Sequence, residues 1–400
     1  MKIHEYQAKK LLREYGINVP NGCIAYTPLE AKEAAGRVSL RGPWFLKAQI
    51  YSGNRFRGHF LEKSAGKKGG VRLADSRREV FEETQKMLGA TLVTQQTGEK
   101  GRVVSKIYVE NAVKIRRQFY ISLVIDRLLP DITLLLADTV TDDIMDLCMH
   151  NPEKIIRVPL NFHRGIKSLQ LKNIARFLKL SAKELTNLKK LINSLFKMFL
   201  ERDLTMVEIN PVGITRGGEF VALDAKITID GAAMFRHKEL QSMPDDADQN
   251  RRERQAHKYG FQYVDFDGSI GCIVNGEGIA LNAVDQLHQH GEDAACFLNI
   301  KGGVDKDKIV SGIKIIVTNP KVEGILINVL GGFLRCNLVA DGIVAAASEV
   351  GLNIPLVVRF VGTNEEEAKD ILISSKLPIV IADDMEDSVN SIVKAIRENR

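Results

Sequence analysis

Between Ser242 and Tyr259 the chain reads SMPDDADQNRRERQAHKY, a polar and charged stretch without sustained apolar periodicity, and the sequence on either side follows a different pattern. A stretch of this kind joins separately packed bodies. Residues 241–260 are therefore read as a connector, with a boundary near Gly260, between a first domain over 1–240 and a second over 261–400. At 400 residues and 44% apolar content the chain has the material for more than one core.

Beyond the connector, apolar runs at 270–274, 295–300, 324–330, 355–359 and 378–382 alternate with helical patterns, which predicts an α/β doubly wound parallel sheet. The first half reads as α+β. Ala8, Leu11, Leu12 and Tyr15 form one stripe of an N-terminal helix stopped at Gly16. Strands are expected at 44–50, 106–111, 118–125 and 131–137. Ser181 opens a second helix, with Glu184 completing a capping box and Leu185, Leu188, Ile192, Leu195 and Phe199 along one face.

Charge and cysteine content narrow the function classes. The five cysteines (Cys23, Cys148, Cys272, Cys296, Cys336) are scattered, with no CxxC pair, and fit a reducing compartment, where they serve as small core residues. A net charge of +6 without an aromatic-interleaved basic motif argues against nucleic acid as the partner. No stretch is apolar over the roughly 18 residues that a membrane span needs, and the N-terminus opens on an amphipathic pattern, so the expectation is a soluble, unprocessed protein.

The chemistry concentrates in MVEINP (206–211) and FVALDAK (220–226), two short strands joined by a loop holding Thr215, Arg216, Gly217 and Gly218. Centring the hairpin on Gly217 sets Asn210 opposite Asp224 and Glu208 opposite Lys226. Strand alternation then projects these four from one face and sends Val207, Ile209, Leu223 and Ala225 to the other. An amide oxygen beside a carboxylate suits a hard cation such as Mg2+, which takes oxygen ligands and completes its shell with water and phosphates. The same pattern also fits an ordinary surface hairpin with a polar face. Glycine turns at Asn275-Gly276-Glu277-Gly278, Lys301-Gly302-Gly303 and Gly331-Gly332 suit an anion at a helix N-terminus, and equally suit tight strand-to-helix connections.

Several segments together, MKIHEYQAKKLL, LKAQI with GKKGGV, EINP with LDAK, DGSIGCIVNGEG, INVLGGFLRC and PLVVRFVGTN, run in order across nearly the whole chain and resemble the β subunit of succinate–CoA ligase. The resemblance implies an ATP-grasp nucleotide-binding domain followed by a flavodoxin-like CoA-ligase domain. It also implies an α-subunit partner, as one αβ pair or two, that carries a phosphorylated histidine and most of the CoA site. In such enzymes a nucleotide, ATP or GTP, phosphorylates that histidine; the phosphoryl group passes to succinate, and CoA displaces it in a reversible step of the tricarboxylic acid cycle. Lys47 would contact the phosphates, with Asn54, Arg55 and Phe56 in the phosphate loop. Glu110, Val113 and Gln118 fall at positions of the base and ribose region. Asn210 and Asp224 would hold Mg2+, and Glu208 would orient the visiting phosphohistidine. Asn275, Gly332, Phe333 and Leu334 would line the substrate site. None of the eight histidines here stands at a matched catalytic position. The setting implied is the bacterial cytoplasm, or the mitochondrial matrix in a eukaryote.

The chain also departs from this pattern. Gly53-Asn54-Arg55-Phe56 replaces a Gly-Gly-Arg-Gly loop, and a phenylalanine held in a left-handed conformation there would be strained. Gln118 stands for an acid, Val113 for a hydroxyl residue, and 138–142 for an acidic glycine segment. Asn299, Lys301, Asn337 and Val361 differ near the substrate end. Two other functions follow from these departures: a non-catalytic β-like subunit that stabilises an α partner, or a ligase for another dicarboxylate such as malate.

Overall fold

The computed structural model describes residues 1–126, 131–140, 144–241, 251–300, 304–332 and 334–400. They form two compact units, Met1–Asp248 and Gln249–Arg400.

In the first unit a helix at Glu5–Glu14 buries Ala8, Leu11 and Leu12 and gives way to Gly16 at φ 73°. Its apolar side joins the core beneath a seven-stranded sheet, which the helix Ala182–Glu201 covers with Leu188, Leu191, Ile192, Leu195, Met198 and Phe199. Each such side chain, once fully buried, contributes about 1.5–3 kcal/mol. The expected capping box is formed: the Ser181 hydroxyl accepts from the Glu184 amide at 3.3 Å, and the Glu184 carboxylate accepts from the Ser181 amide at 2.8 Å. Replacing Ser181 with alanine is expected to lower stability by about 1 kcal/mol in chemical denaturation.

A four-stranded sheet sets Trp44–Ala48 between Ile107–Asn111 and Val71–Ala74, with Lys47 opposite Tyr108 and Phe45 opposite Glu110. Alternation sends Leu46, Ala48, Ile107 and Val109 into a core of their own and leaves Lys47, Tyr108 and Glu110 together on the other face.

The hairpin is formed by Leu204–Thr215 with Phe220–Ala222 and Ala225–Ile229. Glu208 faces Lys226 in the predicted register, and the Asn210 amide donates to the Asp224 carbonyl at 3.3 Å. One expectation fails. Val207, Ile209 and Ala225 are buried, but Leu223 is half-buried and lines a cavity instead of filling the core. Alternation lapses here: between buried Ile209 and Val212 both Asn210 and Pro211 face the cavity, and between buried Ala222 and Ala225 so do Leu223 and Asp224.

The second unit is a six-stranded sheet in the order Gln262–Asp265, Ala294–Asn299, Ile270–Val274, Gly324–Gly331, Leu356–Gly362, Ile379–Ile381. All pairings are parallel except that of the Gln262–Asp265 edge, a strand the apolar runs did not reveal. Helices cover both faces, with Lys306–Val317 and Cys336–Val350 on one and Glu277–Gln289 and Met385–Asn399 on the other. This is the doubly wound, flavodoxin-like arrangement. Arg251–Lys258, inside the segment read as a connector, is helical, and its Ala256 packs in the core of this unit. All five cysteines are free, and Cys272, Cys296 and Cys336 are buried. Among the described residues no helix is long and apolar enough to cross a membrane.

Candidate functional site

A cavity of about 720 Å3 opens in the first unit against the hairpin. Lys47, Asn54, Arg55, Phe56, Glu110, Val113, Gln118, Asn210 and Asp224 all line it, although they come from the four-stranded sheet, the seven-stranded sheet and connecting segments outside the strands. Its apolar lining includes Phe45, Val71, Val113, Ile115, Pro211 and Leu223, beside the polar Glu110 and Gln118. Glu208 borders a second, smaller cavity of about 210 Å3, which shares Gly53, Arg55, Asp224 and Lys226 with the first. There the Glu208 carboxylate accepts from Lys226 Nζ at 2.8 Å and from the Tyr120 hydroxyl at 3.3 Å.

Between the cavity and the N-terminal helix lies a buried network of charges. Lys47 Nζ meets Glu110 at 2.5 Å and Glu5 at 2.9 Å and donates to the Leu223 carbonyl at 2.6 Å. Arg55 Nη2 bridges Glu5 at 2.7 Å and Asp224 at 2.6 Å. Lys9, fully buried, pairs with Glu110 and, at 2.8 Å, with Glu5. In formal charge Lys9, Lys47 and Arg55 balance Glu5, Glu110 and Asp224.

Burial works against the charged form of Lys47, but Glu110, Glu5 and Asp224 outweigh it and raise its pKa. Arg55 is likewise raised: Asp224 and Glu5 overcome the cost of burial. Both are cations at neutral pH, at the wall of a cavity, which is the chemistry of a polyphosphate receptor. Burial would also push the Glu5 carboxyl up, yet Lys47, Lys9 and Arg55 hold it well below its ordinary 4.5. His4 stacks on Tyr51 at 4.1 Å, and burial, with Lys106 and Arg55, drives its pKa down from 6.5 to about 3.

The two groups act in the same direction on stability. The unfolded chain protonates His4 below pH 6.5 while the folded one resists, so folding weakens as pH falls from there. The stability due to Glu5 is fully present above pH 4.5 and is lost as pH falls toward its folded pKa. The melting temperature is expected to fall progressively with acidification below pH 6.5 and more steeply below 4.5. A melting temperature constant from pH 7 to 4 would contradict this.

The loop Gly53–Phe56 does not carry the strain expected at Phe56. Within Gly53–Phe56 only Asn54 has a positive φ, 56°, which asparagine tolerates, and Phe56 has an ordinary backbone and is 72% exposed. The loop closes on Gly69-Gly70: the Gly70 amide donates to the Arg55 carbonyl at 2.8 Å, and a Cβ on Gly69 would lie 2.2 Å from the Phe56 carbonyl oxygen. Farther along, Asp138 pairs with Arg117 and Val140 lines the cavity, while Thr141 and Asp142 lie outside the described residues.

Asn210 and Asp224 offer an amide and a carboxylate at one rim, and among the described residues no cluster of three or more His, Cys, Asp or Glu side chains is placed to hold a metal. The donor set fits Mg2+, which would take the rest of its shell from water and phosphate oxygens. Asp224 is already engaged through Oδ2 by Arg55 and through Oδ1 by the Ala225 amide at 2.8 Å.

In the second unit Asn275 ends the strand Ile270–Val274 and clamps its neighbour. Its amide nitrogen donates to the Leu330 carbonyl at 2.6 Å, and its oxygen accepts from the Leu330 amide at 2.8 Å. This is the carboxyl end of the sheet where strand order reverses, the usual ligand position of such folds. Gly332 is exposed there, but Leu334 is 3% exposed and packs in the core, so its side chain is turned away from a ligand at the surface. Phe333, Lys301 and the turn 301–303 lie outside the described residues. Asn299 is buried, Asn337 bonds the Leu338 amide, and Val361 is half-buried.

Sequence reasoning missed Glu5, Lys9 and Gln49. A Glu and a Lys four residues apart on a helix read as a surface ion pair. The available signal was that Glu5 shares a helical face with Ala8 and Leu12.

The ATP-grasp domain family matches residues 2–214, and the CoA-ligase family matches residues 273–393. The succinate–CoA ligase [ADP-forming] subunit beta of Acidiphilium cryptum is 44% identical over 399 residues, covering 100% of both chains. The chain belongs to the succinate–CoA ligase β-subunit family. Its counterpart in Rhodospirillum rubrum is 42% identical over the same full coverage, and that of Paracoccus denitrificans 42% over 99% of this chain and 100% of its own. Among solved structures, the ATP citrate lyase from Methanothrix soehngenii, in complex with citrate and coenzyme A, shares the fold. Its TM-score is 0.75 at 17% identity, over 98% of this chain and 99% of that one.

Proposed function

We propose that the chain is the nucleotide-binding β subunit of an ADP-forming succinate–CoA ligase, working with an α subunit in a bacterial-type cytoplasm. The observation that carries this reading is the convergence of Lys47, Arg55, Asn210 and Asp224 on one cavity, with the first two held as cations.

ATP lies with its base among Val113, Ile115 and Leu223 and its phosphates against Lys47 and Arg55. Asn210 and Asp224 would hold Mg2+, which would supply neutralising charge to the phosphates. The histidine of the α subunit reaches the smaller cavity, where Glu208, kept in place by Lys226 and Tyr120, accepts a hydrogen bond from its ring and fixes the attacking nitrogen. The γ-phosphoryl group moves to that nitrogen and ADP leaves. The phosphoryl group later passes to a succinate carboxylate, and the CoA thiol displaces phosphate to give the thioester. Asn275 and Gly332 contribute to the site of these last steps.

A non-catalytic role is disfavoured by the intact charge network and by a phosphate loop that accommodates Phe56 without strain. The test is co-purification with the cognate α subunit and measurement of CoA-dependent ATP hydrolysis, with succinate and malate compared. Turnover with succinate is expected. A stable complex without turnover would contradict the proposal, and turnover with malate alone would reassign the substrate.

A further inference from the structure

Glu5 has an unusual position among the charges of the first unit. Its carboxylate is 2% exposed and lies on the first turn of the N-terminal helix, outside both the strand that carries Lys47 and the loop that carries Arg55. One oxygen meets Lys47 Nζ at 2.9 Å and Lys9 Nζ at 2.8 Å. The other meets Arg55 Nη2 at 2.7 Å and Gln49 Nε2 at 3.4 Å. Without an anion between them, the lysine and the guanidinium would repel each other across a site of low dielectric, where like charges separate. Glu110 reaches Lys47 and Asp224 reaches Arg55, but of these carboxylates only Glu5 contacts both. Asp224 is moreover the group that a metal would claim.

We infer that Glu5 is a positioning residue for nucleotide binding, which holds Lys47 and Arg55 side by side so that they engage a polyphosphate together. The inference rests on the proposed nucleotide site but concerns a residue outside it. Glu5 does not touch the nucleotide; it sets the spacing of the two cations that do. Lys9, buried and salt-bridged to Glu5 and Glu110, balances the charge of the network so that the carboxylate can be kept ionised in the interior.

The test uses the complex with the α subunit and measures binding of ADP without metal by calorimetry, alongside KM for ATP and kcat. Glu5→Gln leaves Lys9, Lys47 and Arg55 facing only Glu110 and Asp224 and so lowers stability, and it is paired with Glu5→Gln/Lys9→Met, which removes one charge of each sign. The double variant is expected to regain the melting temperature lost by the single one and still to bind ADP about tenfold more weakly than the unaltered complex. KM for ATP should rise by a similar factor, with kcat changed less. A double variant that melts normally and binds ADP with unaltered affinity would overturn the inference. So would one too unstable to purify, because Glu5 would then belong to the fold and not to the placement of the cations. An unaltered complex that binds no ADP would instead refute the nucleotide site itself.

Discussion

Asp224→Asn should abolish most turnover while leaving the protein folded. Asparagine keeps the shape of the side chain and removes the charge that Arg55 uses and that Mg2+ would use in the proposed site, and the loss of one electrostatic stabiliser at such a site costs roughly 10²-fold or more in rate. Stability should change little. The Asp224 side chain is 27% exposed, and Arg55 keeps its second carboxylate, Glu5, at 2.7 Å. The check is steady-state turnover of the complex at saturating Mg2+, with a thermal melt of the same sample. A variant that retained full activity would refute the metal assignment at Asp224. If activity fell only together with the melting temperature, the residue would be structural.

Glu110→Gln should show the opposite balance, with a large loss of stability. Glu110 is 2% exposed and carries both Lys9 and Lys47, two ammonium groups that are themselves buried. Removing one partner of a buried ion pair leaves an uncompensated charge and costs about 3–5 kcal/mol. For a unit of this size the melting temperature should drop by about 10 °C. Urea denaturation at neutral pH checks the magnitude. A loss below about 1 kcal/mol, the range of an exposed pair, would mean that the network is open to water.

These contrasting expectations separate what was legible in the sequence from what was not. The hairpin was legible because strand alternation is a local rule: a register centred on Gly217 placed Glu208 opposite Lys226, as found. The same rule failed at Leu223, where two successive residues on each strand turn to the cavity and a half-buried leucine lends its carbonyl to Lys9 and Lys47. The parallel sheet was readable from its apolar runs. Its antiparallel edge strand, QYVD, was not, because its pattern carries only Tyr263 and Val264 as apolar residues.

At the site, residues nominated one by one from motifs came together, but the network joining them did not show in the sequence. Glu5 and Lys9 are separated from Arg55 and Asp224 by long stretches of chain, and ion pairs over such distances have no sequence signature. The strain expected at Phe56 illustrates the reverse error. Phe56 is the residue that departs from the motif, whereas the backbone places the left-handed conformation at Asn54, where it costs little. Leu334 belongs with Gly332 in the motif at the substrate end, although the leucine packs into the core.

The most direct measurement is transfer of phosphate from γ-labelled ATP, with Mg2+ present, in the purified complex of this chain with its α subunit. The expected result is acid-labile label on a histidine of the α subunit, present in the unaltered complex and lost in Asp224→Asn. A stable complex that takes up no label, or one labelled equally in both forms, would contradict a nucleotide site built on this hairpin.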